Sequence, residues 1–554
     1  MNFIKNETAE KLRGGYYTPP DIAHLLTRWV IQGKPRAVLE PSCGDGVFIR
    51  ALASLRAKPV RITACELSPV EAAKARQAAR GLSATVLHGD FLEWVLERIK
   101  DEPEFDGVLG NPPFVRYQYL TDELQKRAED VIRYFGLNFT MHTNAWTPFV
   151  VASIARLRPG GRLAMVVPAE LLHVLHADSA REYLLRECSR VLVLDPEEIW
   201  FENTLQGVVL LMAEKRDQPG LTKGSLAIVR TRGREFLTQD PSKVFESADY
   251  RAGESFPYKW TPALLSASER NVLAELQAHP MVHKLGDIAR AQVGLVTGAN
   301  KFFLVPDSTV NEYDLAPYAH PMFGRSEHVP GVLYDATTHA DNRRQEYPTN
   351  FLWFTGEERL TAGARRYIAE GEKQGLHLRY KCRIREPWYA VPYVFTTPVG
   401  MLKRSHDYPR LVLNSAKAYT TDTAYRVTPA PGIGADRLVY SFVNSLTALC
   451  AELEGRHYGG GVLELVPSEI SRLLVPLVAA GNAEVMKLDA LFRGGTSAAH
   501  IVEFQDKKLF GQLGLSPRAQ QDLFSAWWAL RSRRQRVGAE GDAVESARAR
   551  TPLR

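Results

Sequence analysis

Ala37-Val38-Leu39-Glu40-Pro41-Ser42-Cys43-Gly44-Asp45-Gly46-Val47-Phe48-Ile49-Arg50-Ala51-Leu52 is an apolar strand that runs into a glycine loop and then into helical apolar spacing. Gly44 and Gly46 let the backbone approach a ligand closely, and the N–H groups opening the next helix favour a carboxylate or phosphate. Dinucleotide enzymes also use Gly-x-Gly, but their fingerprint wants a third glycine where this chain has Ile49. That departure weighs against a nicotinamide cofactor.

Outward from this unit, further strands end in residues with chemistry to offer. Arg61-Ile62-Thr63-Ala64-Cys65 ends at Glu66, an acid able to accept both hydroxyls of a ribose at the carboxyl edge of a parallel sheet. A strand over residues 84–88 leads to Gly89-Asp90-Phe91, where Asp90 can accept from an adenine amino group and Phe91 can pack on the purine. Each also has a plainer reading, Glu66 as a solvated strand end and Asp90 as the N-cap of a helix from Phe91.

The apolar run Phe105-Asp106-Gly107-Val108-Leu109-Gly110 is followed by Asn111-Pro112-Pro113-Phe114. Methylating an amide or nucleobase nitrogen requires a site that accepts its N–H protons and pushes it towards tetrahedral geometry. Asn111 supplies a side-chain oxygen. Pro112 supplies a carbonyl without a competing N–H, and two prolines stiffen the loop. Phe114 offers a face for a planar ring. Alone, the tetrapeptide reads as a rigid turn after a buried strand; the ordered set of strand ends makes it a pocket for an exocyclic amine.

With these motifs the chain resembles the class I S-adenosylmethionine-dependent DNA methyltransferases that modify adenine N6, and within them the gamma class typified by the Taq I methylase. Gly15-Tyr16-Tyr17-Thr18-Pro19-Pro20 stands before the glycine loop as that class requires. Asn144-Ala145-Trp146-Thr147-Pro148-Phe149 opens a helix beyond the tetrapeptide, and Arg162-Leu163-Ala164-Met165-Val166-Val167-Pro168 is the strand that follows it. The likeness spans residues 10–215 and fades afterwards.

It implies a Rossmann-like, mostly parallel, doubly wound α/β sheet of seven strands, with a C-terminal mixed α and β target-recognition domain. It also implies roles. Tyr17 and Thr18 hold the methionine end of S-adenosyl-L-methionine, Glu40 with Cys43, Gly44 and Gly46 its amino group and backbone, and Glu66 with Leu67 its ribose. Asp90, Phe91 and Phe149 line its adenine. Asn111, also at the cofactor, and Pro112 grip the target amine, while Phe114 and a second aromatic sandwich the extruded base. Trp200-Phe201 precedes a strand over 207–212, and Phe201 is the favoured partner; either residue could be core. Family members often carry tyrosine where this chain has Phe114, so the stacking face is kept and a hydroxyl is lost.

The 554 residues are too many for one core, and about 150 residues per domain suggests two to four units. Residues 1–216 read as the catalytic domain, 217–530 as the recognition domain and 531–554 as a basic, disordered tail. Hydrophobic residues at 45% and charged residues at 24% are ordinary globular values. No run of about 18 apolar residues and no signal-peptide pattern occurs, so a cytoplasmic protein without membrane attachment is expected. Five scattered cysteines without Cys-x-x-Cys or His-x-x-x-His spacing argue against disulfides and against a metal site.

Residues 1–215 hold 26 Lys and Arg against 27 Asp and Glu, leaving 43 against 36 in the remainder. A neutral catalytic half beside a basic half suits an enzyme of double-stranded DNA. In the basic half, helical spacing over 266–277 and 440–456 and strands over 411–414 and 424–427 give mixed α and β. The stretches 293–303, 417–424 and 456–465 combine glycine with cations and aromatics, as loops against a sugar–phosphate backbone would, though surface turns are the bland alternative.

The expected reaction transfers methyl to N6 of an adenine flipped from the duplex. The expected setting is a restriction-modification system, with a cognate endonuclease acting on the same site and the methylase working as a monomer. Methylases of cytosine N4, of ribosomal guanine N2 and of protein glutamine remain as alternatives, as does a non-catalytic DNA-specificity protein with a vestigial cofactor fold.

Overall fold

The computed structural model describes residues 17–535 except 56–59, 116, 141–142, 199, 201–206, 219, 221, 357–358 and 459. Its described part divides into two compact units, one ending at Leu265 and the other running from Ser266 to Gln535.

In the first unit, short apolar strands alternate with helices, as parallel strands with crossovers require. The strands are β1 (Ala37–Glu40), β2 (Arg61–Glu66), β3 (Ala84–His88), β4 (Phe105–Gly110), β5 (Leu157–Pro168), β6 (Cys188–Pro196), β7 (Val208–Lys215), β8 (Ser225–Thr231) and β9 (Arg251–Ala252). They form one sheet in the order β3-β2-β1-β4-β5-β7-β6-β8-β9. The pairings from β3 through β5 are parallel, and β7 is inserted antiparallel between β5 and β6.

Side chains alternate across the sheet. Along β5, Leu163, Met165 and Val167 enter one apolar cluster, and Ala164 and Val166 the other. Both faces are therefore covered, which makes the unit doubly wound. At Gly107 the helix Pro20–Gln32 lies so close that a β-carbon would stand 2.5 Å from Val30 Cγ1.

The seven strands expected from the family are the core of this sheet, and it continues further. β8 pairs in parallel with β6 from Arg190 to Pro196, and β9 closes the edge. The stretch after residue 216 is thus a loop within one sheet, and the first unit ends at Leu265 rather than at 216.

The second unit is mixed α and β. A five-stranded sheet holds Ala289–Val293, Ala424–Pro429, Val399–Leu402, Leu411–Asn414 and Leu333–Tyr334 in that spatial order. The expected helix over 266–277 is Ala267–Gln277, opened by a Ser266–Glu269 capping box. The helical pattern over 440–456 is two helices, Ala435–Phe442 and Ser445–Glu454, because the Asn444 side chain caps the second by accepting from Thr447 N–H at 2.8 Å. Among the described residues no helix is long and apolar enough to cross a membrane.

The basic run from Arg531 departs from expectation. The helix Pro517–Gln535 extends through it and buries Arg531, Arg533 and Arg534. Arg534 forks onto the carboxylate of Glu452, both side chains 0% exposed, and Arg531 pairs with Asp407. Partners far away in sequence neutralise these cations, which the local run of arginines could not reveal. The rest of the expected tail, 536–554, lies outside the described residues.

Removing one partner of a buried ion pair leaves the other charge uncompensated. Glu452→Ala is expected to cost about 3–5 kcal/mol in urea denaturation, whereas an apolar replacement of both Glu452 and Arg534 should cost far less.

Candidate active site

Chain order turns back at β1, which has β2 on one side and β4 on the other. Helices leave on opposite sides of such a switch point, opening a crevice at the carboxyl ends of the strands. A cavity of about 460 Å³ lies there, within the range of small-molecule sites.

The glycine loop closes one end. Gly44 and Gly46 have φ of +50° and +85°, where a side chain is strained. Only Gly44 reaches the cavity wall. Gly46 serves packing instead: a β-carbon there would lie 3.1 Å from Ala75 Cα on the helix Pro69–Ala78. Glu66 anchors the loop, its Oε2 accepting from Gly44 N–H at 2.9 Å and its Oε1 from Ser68 N–H at 2.8 Å. Each carboxylate oxygen keeps a lone pair for a hydroxyl. Cys43 and Leu67 flank these residues on the wall.

Glu40, at the end of β1, is 1% exposed, and among the described residues neither carboxylate oxygen has a hydrogen-bond partner. Burial, then the like charges of Asp45 and Glu66, hold its carboxyl well above the usual range, with Arg50 opposing only in part. A desolvated, unbonded carboxylate is costly, and a cation brought into the cavity is what would offset it.

Asp90 fulfils the capping reading and also lines the cavity. Its Oδ1 accepts from Leu92 N–H at 3.0 Å, opening the helix Phe91–Glu97. Its Oδ2 accepts from Arg127 at 3.0 Å. Beside it the Phe91 and Phe149 rings stand 5.2 Å apart, tilted by 39°. Aromatic faces next to a bonded acid suit a flat amino-bearing heterocycle.

Asn111 leaves β4 directly into the cavity wall. Its Nδ2 donates to Thr18 Oγ1 at 3.1 Å, and Ser42 donates to its backbone carbonyl at 3.0 Å. The first bond fixes the amide so that its oxygen lies at the end away from Thr18. Thr18 is buried, while Tyr17 is 55% exposed at the rim. Of the prolines, Pro113 lines the cavity and Pro112 is buried behind it. Phe114 is half-buried between the clusters on the two sheet faces. Trp200 is 3% exposed within one of those clusters and is therefore core, and Phe201 lies outside the described residues.

Comparison with known proteins follows these features. Residues 2–240 match the family model described as N-6 DNA Methylase, and residues 257–510 match that of the Type II methyltransferase M.Eco57I, C-terminal domain. Over residues 2–240 the chain thus has the sequence of an N-6 DNA methylase. Its relatives place it with the methylases of restriction-modification systems. It is similar to the Type II methyltransferase M.AccI of Acinetobacter calcoaceticus, 20% identical over 82% of this chain and 84% of that one. It is also similar to M.XamI of Xanthomonas campestris pv. amaranthicola, 24% identical over 84% and 85%. Among solved structures, the Type IIL restriction-modification enzyme MmeI in complex with DNA shares the fold at 12% identity, a TM-score of 0.51 and coverage of 92% of this chain and 75% of that one.

Two parts of this methyltransferase's site escaped the sequence reading. Arg127 reaches Asp90 and Glu93 from the helix Asp122–Tyr134, which also contributes Leu124 and Ala128 to the cavity wall. Lys74 lies on the wall, paired with Glu71 at 2.7 Å. Neither belongs to a motif, and the helix carrying Arg127 reads as an ordinary amphipathic segment.

Since Glu66 accepts from two backbone N–H groups, Glu66→Ala strands both donors. Denaturation of the ligand-free methyltransferase should show a loss of about 1–3 kcal/mol.

Proposed function

We propose that the cavity binds S-adenosyl-L-methionine and that Asn111 and Pro112 hold N6 of an adenine flipped out of double-stranded DNA. One observation carries the reading: the buried, unbonded carboxylate of Glu40 shares a cavity with the end of the strand that presents Asn111. The donor set fits the cofactor. Glu40 takes its ammonium group, and Thr18 and Tyr17 its methionine end. Glu66 beside Leu67 takes the ribose, and Asp90, Phe91 and Phe149 take the adenine.

When bound, the cofactor supplies a methyl group made electrophilic by a sulfonium. Asn111 Oδ1 and the Pro112 carbonyl accept the N6 protons and free its lone pair. With the cofactor held by Glu40, Glu66 and Asp90, these residues would align the N6 lone pair with its methyl group, so positioning and charge complementarity would supply most of the acceleration. Phe114 and Phe201 stack on the extruded base and offset an unpairing cost of a few kcal/mol.

The order of the glycine loop, the tetrapeptide and then the recognition unit supports the gamma arrangement. The second unit reads the target sequence. A cognate endonuclease at the same site, action as a monomer and a cytoplasmic setting belong to the same reading.

Asn111→Ala should keep cofactor affinity within about twofold while lowering methyl transfer by roughly a thousandfold, the scale of losing an oriented electrostatic contact. Full activity in a tritiated-methyl assay would sink the role. Sequencing that detects modified bases in DNA from expressing cells separates adenine N6 from cytosine N4.

The raised Glu40 carboxyl gives a pH test. Being protonated above the ordinary value of 4.5, it must lose its proton to bind an ammonium group. Cofactor affinity should therefore rise as pH increases from 4.5 towards the raised value, with proton release on binding seen by calorimetry in buffers of different ionisation enthalpy. Glu40→Gln should abolish the release and leave the ligand-free fold at least as stable.

A further inference from the structure

Within the second unit, three segments distant in sequence meet at one surface. Arg385 donates to the carbonyls of Val296 at 2.6 Å and Thr297 at 2.8 Å. Arg426 donates to Val293 O at 3.0 Å and Tyr393 O at 3.2 Å, and its guanidinium lies 3.9 Å from the Phe395 ring centre. A β-carbon at Gly298 would stand 2.7 Å from Lys381 Cβ, so the 293–298 loop rests on the helical turn Tyr380–Arg383. These two arginines face inward and join the segments.

What the surface turns to solvent is unusual. Val293, Val296, Tyr380, Ile384 and Phe395 are exposed, and Tyr393 is 86% exposed. Tyr393 also has φ of +57°, a left-handed backbone that disfavours a β-carbon and that the Arg426 bond holds in place. Scattered apolar side chains need no explanation, but a cluster of them marks a binding surface.

Charge selects the occupant. Arg379, Lys381 and Arg383 are exposed, and none has a carboxylate partner among the described residues. Lys381 and Arg383 instead stand 5.5 and 5.7 Å from the Tyr380 ring. Protein interfaces deplete lysine and charge at their centres, whereas a polyanion with planar rings uses cations and aromatics together. Of the segments singled out in the sequence, this surface contains 293–298, and the cationic helical turn Tyr380–Arg383 belongs to none of them.

We propose that this surface is a duplex-DNA contact, in which Arg379, Lys381 and Arg383 neutralise phosphates and Tyr393 packs its ring on sugar or base. It rests on the chain acting on duplex DNA, and it assigns residues that the catalytic reading leaves idle.

The test is duplex affinity by fluorescence anisotropy across a salt series, beside methyl-transfer kinetics. Each phosphate contact contributes about 0.9 to the slope of log affinity against log salt, so R379Q/K381Q/R383Q should lower that slope by about 2 to 3 and raise KM for DNA about tenfold or more. Cofactor affinity and thermal melting should stay at wild-type values. Tyr393→Ala should weaken duplex binding about tenfold without altering the slope. Replacing Lys507 and Lys508, exposed cations on another helix of the unit, should change neither quantity. An unchanged slope and KM in a folded triple variant would overturn the surface, and so would an equal effect from the Lys507 and Lys508 pair. Absence of wild-type transfer to duplex DNA would strike the functional reading instead.

Discussion

A carboxylate taken out of water and left unbonded is the constraint around which the first unit is arranged. Glu40 sits at the end of β1, where the carboxyl ends of β1 and β4 part. Asp45 and Glu66 worsen its electrostatics, and the Arg50 cation that could relieve it is tied to Asp45. A fold that keeps such a group accepts a loss of stability, which is tolerable only if a ligand restores the balance. Other polar groups of the pocket have structural partners: Glu66 holds the glycine loop, Asp90 caps a helix, and Thr18 accepts from the Asn111 amide nitrogen.

The second unit treats its buried charges the opposite way. Glu452 meets Arg534, and Asp489 accepts from the Val332 and Leu333 N–H groups while pairing with Arg493. Asp506, pushed up to about 7 by burial, accepts from Ser445 N–H where a helix begins. Such satisfied networks specify one packing arrangement. Among the described residues, Arg379, Lys381 and Arg383 around Tyr380 face solvent without a carboxylate partner.

Arg531 and Arg534 show how composition misleads. The basic excess of the C-terminal half points correctly to a nucleic-acid partner, yet the densest arginine run is interior, held by Asp407 and Glu452. The cations left for DNA come from a helical turn beside the exposed side chains of Tyr380, Tyr393 and Phe395. Net charge counts residues, whereas the field at a surface depends on which of them have found partners.

The sequence by itself determined the strand ends of the catalytic unit. β3 and β4 run from residue 84 to 88 and from 105 to 110, the stretches the sequence marks as strands, and the glycine loop, Glu66, Asp90 and Asn111 stand at or just beyond their strand ends. These are local matters, set by the pleat, by turn chemistry and by a proline-stiffened loop. Tertiary structure alone decided the nine-strand extent of the sheet, the Thr18 bond that orients Asn111, the reach of Arg127 to Asp90 and the burial of the last arginines. Each depends on a partner tens or hundreds of residues away, and no periodicity along the chain encodes which distant group will arrive.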